Sequence, residues 1–511
     1  MAQLQNEICE VTLARATSPI LLAIDIGSSS VRAALFDGRG REVVATQARR
    51  AWSFRTADDG SSEADAEELL AIVVAVIDEA LSRSPQDLTI EAVAISCFWH
   101  SLVALDRNGR PLTPIFGWAD TRARHAARAL RSRLDESEFH RRTGCRFHAS
   151  YWPAKIVWLR EHHPTLFAEV GRFVSFSEFF TDHLLDRSAM SVSMASGTGL
   201  FDQRGCAWEE RLLAELRLRP EQLPDLADAQ DLNANLRTEF SKRWPQLRRA
   251  RWFAPFADGA VSNVGEGSLE RERAVIMIGT SGAMRVIFAG EPPEDLPSSL
   301  WSYRVDRRRV VIGGALSDGG NLREWLCRSL MLDEATLDAE LARLAPGGHG
   351  LTVLPFWSGE RSTGWHDEAR GAILGLSLHT RPIEIARAAM EAICYRFAAI
   401  ADALRAVAPI EEWIASGGAL QRSVFWTQML ADILEQPVGL SGVREASSRG
   451  AALLALEAMG RLRLCDVRPT IVRRFEPEAE RASRYRAARA RHERLYRLIL
   501  EAGDSEYRRS R

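Results

Sequence analysis

The chain has 511 residues, 46% hydrophobic and 26% charged, the balance of an ordinary globular protein of roughly two to four domains. Lys+Arg 66 against Asp+Glu 68 leave a net charge of −2, which excludes a protein that holds nucleic acid by bulk charge. No apolar run approaches the ~20 residues of a membrane helix, so no membrane partner is expected.

Residues 1–19 lack the basic start and apolar core of a signal peptide and read as a short flexible extension. Ile20 to Ile26 is an apolar run of the kind a buried strand needs. A Gly-Ser-Ser-Ser turn over 27–30 leads into a second apolar run, Val31 to Phe36, and Asp37-Gly-Arg-Gly40 is another turn. Leu69, Leu70, Val73, Val74, Ile77 and Leu81 recur at helical spacing and predict a helix over 62–81. Ile90 to Ile95 returns to strand. An arginine-rich helix is expected over 120–134, and another includes Lys155 to Arg160.

The polar stretch from Trp208 to Trp252 is helical in flavour, broken at Pro220 and Pro224. Ala274 to Ile278 restarts an apolar strand, which places a domain boundary near 260–272. Further helices are expected over 322–330 and, after the strand Trp413 to Ala415, over 420–434. An arginine-rich amphipathic helix follows over 478–500, whose Leu495, Leu498 and Ile499 need a surface to cover. Strands mixed with helices make this an α/β chain.

Seven cysteines are scattered, no two within four residues, so zinc and redox Cys-x-x-Cys motifs are absent. Reduced thiols in a cytoplasm fit that pattern. Lys155 and Lys242 are the only lysines and neither follows a glycine, so there is no Walker A loop. His-Glu-x-x-His and Gly-x-Gly-x-x-Gly are also missing.

One internal echo stands out. Ile24-Asp-Ile-Gly-Ser-Ser-Ser-Val-Arg-Ala-Ala-Leu-Phe36 matches Ile276-Met-Ile-Gly-Thr-Ser-Gly-Ala-Met-Arg-Val-Ile-Phe288 without a gap. It implies two related domains, each opening with the same hairpin. A turn of Gly, Ser and Thr offers bare backbone N–H groups and short hydroxyls, a nest for phosphate. Asp25 ends the first strand, where a carboxylate beside phosphates suits Mg²⁺; the second hairpin has Met277 there. Ser416-Gly-Gly-Ala419, between a strand and a helix, offers another anion site. So does Gly313-Gly-Ala-Leu-Ser-Asp-Gly-Gly-Asn321. Asp258, in small residues just before the second hairpin, is a candidate general base.

These motifs, in this order, resemble the FGGY carbohydrate kinases, and within them the gluconokinase-like branch. The resemblance runs from about Ile20 to Tyr496. Its first phosphate motif is Ile24 to Ser30 and its second Gly279-Thr-Ser-Gly-Ala-Met-Arg285; Gly417 to Asp432 and Glu445 to Leu454 resemble the C-terminal signature segments. The resemblance implies two ribonuclease-H-like domains of the actin/Hsp70 ATPase type, with an interdomain cleft for ATP and Mg²⁺. It divides the chain into an N-terminal domain over 20–265, a C-terminal domain over 266–502 and a polar tail over 503–511. Dimers and tetramers both occur in the family, so a homodimer is one expected assembly.

By the same resemblance Asp258 is the catalytic base, with Gly259 beside the substrate, and Asp25 lies near the metal. Gly27, Ser28, Ser29, Ser30, Arg32, Gly279, Thr280, Ser281 and Gly282 surround the phosphates. Gly320, Gly417, Gly418 and Arg422 surround the nucleoside. The acceptor pocket is expected from Trp99, His100, Trp118, Asp120, Arg122 and Lys155. Two departures stand out: Cys97-Phe-Trp99 is bulky, and Asp318 replaces a frequent Asn.

The expected reaction is ATP-dependent phosphorylation of a primary hydroxyl on a small sugar acid or polyol, gluconate first. A gluconate carboxylate needs a cation, and Arg122, Arg146 and Lys155 are the candidates. A neutral ketopentose or polyol (xylulose, ribulose, glycerol, erythritol) would need none. The rival from another class is a nucleotide-binding switch of the same fold.

Overall fold

The computed structural model describes residues 9–228 and 232–501. Two sheets dominate it, each built around one of the echoed hairpins. In the first, β1 (Glu10–Val11), β2 (Leu21–Ile26), β3 (Ser30–Phe36), β4 (Glu42–Val43), β5 (Ala48–Ala51), β6 (Ala92–Cys97), β7 (Arg251–Trp252) and β8 (Phe256–Ala257) run in the order β1-β4-β3-β2-β6-β7, with β5 on β3 and β8 on β6. The second contains β9 (Arg273–Ile278), β10 (Gly282–Ala289), β11 (Trp301–Asp306), β12 (Arg309–Leu316), β13 (Glu412–Ser416), β14 (Val438–Ser441) and β15 (Ile471–Phe475) in the order β11-β12-β10-β9-β13-β14-β15.

The echo is structural. β2 is antiparallel to β3 and parallel to β6; β9 is antiparallel to β10 and parallel to β13. Both central strands are almost wholly buried, as apolar runs covered on both faces must be. Each sheet carries its own core, one around Leu22, Ile24, Val73 and Ile95, the other around Ile276, Met284, Phe397 and Trp426.

Several local expectations shift for stated reasons. The helix expected from Ser62 begins at Ala66, because Asp65 accepts from the Glu67 and Glu68 N–H groups at 2.9 Å and caps it; Ser62–Ala64 is a strand. The helix expected from Asp120 starts at Arg124. The helix expected over 420–434 is two helices, α5 (Gly418–Arg422) and α6 (Val424–Leu434), since Ser423 caps the second by accepting from the Trp426 N–H. Among its described residues the polar region has the short helices Glu210–Leu216 and Thr238–Arg243 before its last residues join the first sheet as β7.

The expected loose extension is corrected for residues 9–19. β1 pairs in parallel with β4, and Gly38 N–H donates to Thr17 O at 2.6 Å. Backbone pairing of this kind ties the segment to the sheet. Residues 1–8 and the expected tail lie outside the described residues.

Two helices tie the halves together. α2 (Asp258–Gly265) follows β8 directly, and α7 (Ala446–Ala458) crosses it with extensive contact. Although α7 belongs late in the chain, it packs against β2 and β6 of the first sheet, and Leu453, Leu454 and Leu456 enter the first core. The segment expected in the C-terminal domain therefore returns to cover the N-terminal sheet. Between them in chain order lie α3 (Gly320–Ser329) and α4 (Pro382–Arg405); α8 (Ala479–Tyr496) follows α7 and packs on the second half. α8 buries Tyr485, Ala488, His492 and Tyr496, so its apolar stripe is aromatic and small; Leu498 and Ile499, 61% and 42% exposed, cover nothing.

At the α2–α7 crossing a Cβ on Gly450 would stand 1.8 Å from Val261 O, and one on Gly265 1.9 Å from Ala446 O. Both neighbours are backbone and cannot swing aside. Gly450→Ala should therefore destabilise the protein by ~3 kcal/mol or more. Urea unfolding would read this as a lowered midpoint; an unchanged midpoint would mean that the helices can separate freely.

Candidate active site

The first hairpin turn is closed by Gly27 N–H donating to Ser30 O at 3.0 Å, and Trp52 braces it through Gly27 O and Ser29 O. Ser29 is exposed, Ser28 half-buried and Ser30 buried. The second turn repeats the closure, with Gly279 N–H donating to Ser281 O at 3.0 Å, and leaves Thr280 exposed. Gly282 is packed under Phe397.

The nucleotide-side glycines converge on this second turn. Gly320 N–H, at the start of α3, donates to Gly279 O at 2.9 Å, and Asn321 N–H to Thr280 O at 3.0 Å. Gly417 has φ +89°, and a Cβ there would stand 2.6 Å from Ile278 O. Only glycine allows both that conformation and that approach. Gly418 and the exposed Arg422 lie just beyond. Asp318 accepts from Asn321 Nδ2 at 3.0 Å and from the Ser358 hydroxyl and N–H at 2.9 Å, so its carboxylate fills an amide's place without an unpaired oxygen.

Asp25 ends β2, buried. It accepts from Ser96 Oγ at 2.7 Å and from Arg32 Nη1 at 3.2 Å; Arg32 also donates to Glu445 at 2.8 Å and to Ser30 Oγ at 3.2 Å. Burial raises the Asp25 carboxyl, opposed by Arg32 and Ser96. Asp258 begins α2 and is half-buried. Burial, with Asp25 nearby, raises its pKa to about 6; Arg285 pulls the other way. Gly259 N–H donates to Asp258 Oδ1 at 2.6 Å and fixes the carboxylate.

Among the described residues no group of three His, Cys, Asp or Glu could hold a metal by itself. Asp25, next to the first hairpin turn, supplies one carboxylate, which fits Mg²⁺ bound largely through waters and nucleotide phosphates.

The wall expected to hold the acceptor is aromatic. Trp99 donates its Nε1–H to Ser193 O at 3.0 Å and packs against Tyr303, centroids 4.7 Å apart. Gly197 and Gly259 make room for its ring. His100 has φ +67° and its Nδ1 lies 2.6 Å from Gly197 O. A carbonyl can only accept, so Nδ1 carries the proton. Burial drops the His100 pKa to about 3, so the ring is neutral and Nε2 is left as an acceptor. Tyr151 and Tyr303 share a 2.6 Å hydrogen bond across the two halves.

Four residues read as pocket cations or acceptors are engaged elsewhere. Asp120 accepts from Arg122 through Nε at 3.1 Å and Nη2 at 2.6 Å, and from the backbone N–H groups of Arg122 and Ser62. Arg122 also pairs with Glu63 and stacks over Trp158, 4.7 Å away. Arg146 pairs with Glu136 and donates to Ser298 O. Lys155 Nζ donates to His100 O and Gly117 O, both at 2.8 Å, and to Phe116 O at 3.4 Å. Burial brings the Lys155 pKa down to about 7.

Trp118 meets a residue the sequence reading missed: the Arg361 guanidinium lies 4.5 Å over its ring. Arg285, behind Gly259, was also missed. Its signal was present, an arginine inside an apolar strand where the echo has Ala33. Arg361 sits in a loop with no periodicity to mark it.

The FGGY carbohydrate kinase N-terminal domain model matches residues 20–250, and its C-terminal domain model residues 274–459. A gluconokinase of Bacillus licheniformis is 28% identical over 483 residues, covering 91% of this chain and 93% of its own. A xylulose kinase of Escherichia coli (strain K12) is 27% identical over 488 residues, covering 94% and 99%. The crystal structure of a gluconate kinase from Lactobacillus acidophilus has a TM-score of 0.86 at 24% identity, covering 94% and 98%. The fold is the two-domain actin/Hsp70-like one.

Lys155→Met would leave the His100 carbonyl without its donor, at about 1–3 kcal/mol, while Phe116 O and Gly117 O keep the N–H groups of Leu102 and Asp120. We expect a lowered melting temperature and a fall in turnover for acidic and neutral acceptors alike. A loss confined to acidic acceptors would instead place Lys155 against the substrate.

Proposed function

The chain belongs to the FGGY family of carbohydrate kinases, and on that premise we propose that it phosphorylates the terminal primary hydroxyl of a small sugar acid, gluconate to 6-phosphogluconate being the favoured case. That it is an ATP-dependent sugar kinase follows from the family, which sets the nucleotide-binding switch aside. Gluconokinases and xylulose kinases are similar to it to nearly the same degree, so identity alone leaves the acceptor open. Similarity to gluconokinases of two Bacillus species supports the acid over a ketopentose or neutral polyol.

The observation that carries the reaction is Asp258, a half-buried carboxylate at the start of α2 whose pKa burial and the nearby Asp25 raise to about 6. In this reading Asp258 accepts the proton of the attacking hydroxyl, its raised pKa making it a better base while leaving it ionised at neutral pH. His100 Nε2 accepts from a sugar hydroxyl and orients the chain. Trp99 and Tyr303 cover the carbon face and exclude water. The two hairpin turns, with Ser28, Ser29, Thr280 and Ser281, direct N–H and hydroxyl groups at the phosphates. Asp25 would hold Mg²⁺ through water, and that cation, when bound, neutralises charge developing on the phosphoryl oxygens.

MgATP turnover with gluconate, xylulose, ribulose, glycerol and erythritol tests the reading; saturable turnover only with a neutral acceptor would contradict it. The pH profile tests the base. Asp258 works ionised, so kcat/KM should fall as pH drops through about 6. A rate still flat at pH 4 would exclude it.

A further inference from the structure

Trp118 and His100, two members of the expected acceptor wall, meet a short segment of the first half, His148-Ala-Ser-Tyr151. Ser150 Oγ donates to Trp118 O at 2.7 Å, and the Tyr151 ring stands edge-on to His100 with centroids 5.1 Å apart. This segment is gripped from the second half of the chain. Tyr303 holds the Tyr151 hydroxyl. Trp365, fully buried, packs on both ends, its ring 5.4 Å from His148 and 6.2 Å from Tyr151. Asp367 Oδ1 stands 2.5 Å from His148 Nε2, and Oδ2 accepts from Arg131 Nη2 at 2.8 Å.

Asp367 can hold because its own loop is held. Residues 355–371 contain no helix or strand, yet Ser362 N–H donates to Ala315 O at 2.9 Å and Ala315 N–H donates to Ser362 Oγ at 3.0 Å. Glu360 pairs with Arg396 at 2.6 Å and accepts from Tyr496 at 2.9 Å. These bonds root the loop in β12, α4 and α8, so it presents the carboxylate from a fixed place.

The contact passes inward through His148. The Ser150 N–H donates to His148 Nδ1 at 3.2 Å, so that nitrogen is an acceptor and the ring proton is on Nε2, the atom facing Asp367. Asp367 therefore fixes the imidazole, the imidazole fixes Ser150, and Ser150 with its neighbour Tyr151 meets the wall. Burial would raise the Asp367 carboxyl, but His148 and Arg131 hold it below the usual carboxylate range, so it is anionic at neutral pH.

We propose that Asp367 is a positioning residue for the acceptor: from the second half it sets the 148–151 segment, and through that segment Trp118 and His100. The inference rests on the acceptor wall of the kinase reading above and not on which acceptor the wall takes. It makes the wall, built on the first half, complete only with the second half's loop in place.

KM and kcat would be measured for the wild-type enzyme, Asp367→Asn, Arg131→Gln, His148→Gln and the double variant of Asp367→Asn with His148→Gln, using gluconate and xylulose as acceptors. Asp367→Asn should raise the acceptor KM on the order of 10–100-fold and leave the KM for MgATP within about twofold. Arg131→Gln, on a partly exposed side chain, should move the same constant by less, and it carries the test if melting curves show that Asp367→Asn fails to fold. The double variant should be no worse than the more affected single one, because both residues act along one line. Arg128→Gln breaks the neighbouring bridge between the halves, Arg128 to Glu368 at 2.8 Å with both ends exposed, and should leave both constants unchanged. A lowered melting temperature with both KM values unchanged, an equal rise in both, or effects that multiply in the double variant would overturn the proposal and leave Asp367 a bridge between the halves. An acceptor KM unmoved by His100→Ala would remove the wall, and the proposal with it. The same split seen with xylulose while gluconate is not turned over would contradict the sugar-acid reading and support the role of Asp367.

Discussion

The α2–α7 crossing, with backbone against backbone at Gly265 and Gly450, is the contact from which the cleft is built. Arg449 clamps it by donating to Gly265 O and Gly40 O, and Glu266, at its end, accepts from Ser416 and Ser441. α2 begins at Asp258, and α7 begins one residue after Glu445. Glu445 holds Arg32, and Arg32 reaches Asp25. One steric constraint therefore places Asp258, Asp25 and the ion pairs of Arg32. A crossing this close leaves no slack, because close-packed interiors transmit a shift rather than absorb it.

On that frame the cleft sorts charge by position. Burial raises the pKa of both Asp25 and Asp258, and Asp25 adds to the rise at Asp258. Asp25 is drawn back toward ionisation by Arg32 and Ser96, while Asp258 stays near 6, poised to take a proton. His100 is held neutral and Lys155 is turned into the backbone, so the acceptor wall has fewer charges than its sequence suggests.

Much of this was legible in the sequence. The echo of Ile24–Phe36 in Ile276–Phe288 marked two homologous hairpins, and the structure sets them at equivalent places in two sheets. The glycine turns and Asp258 were visible because their chemistry depends on backbone shape and short spacing. The departures share one cause: a residue type states what a side chain can do, and only its neighbours decide whether it is free to do it. Asp120 and Arg122, two residues apart, satisfy each other. Lys155, singled out by its rarity, braces the loop that bears His100. The return of α7 to the first sheet was hidden because an Ala- and Leu-rich helix, apolar on most sides, names no partner.

The most direct test of the central claim is the product formed from MgATP and gluconate by the wild-type enzyme and by Asp258→Asn, followed by ³¹P NMR. The account predicts a phosphate monoester on the terminal carbon with the wild-type enzyme, and a rate ~10²–10⁴-fold lower in the variant with ATP still bound. Undiminished phosphorylation by Asp258→Asn, or release of inorganic phosphate without a sugar phosphate, would contradict it.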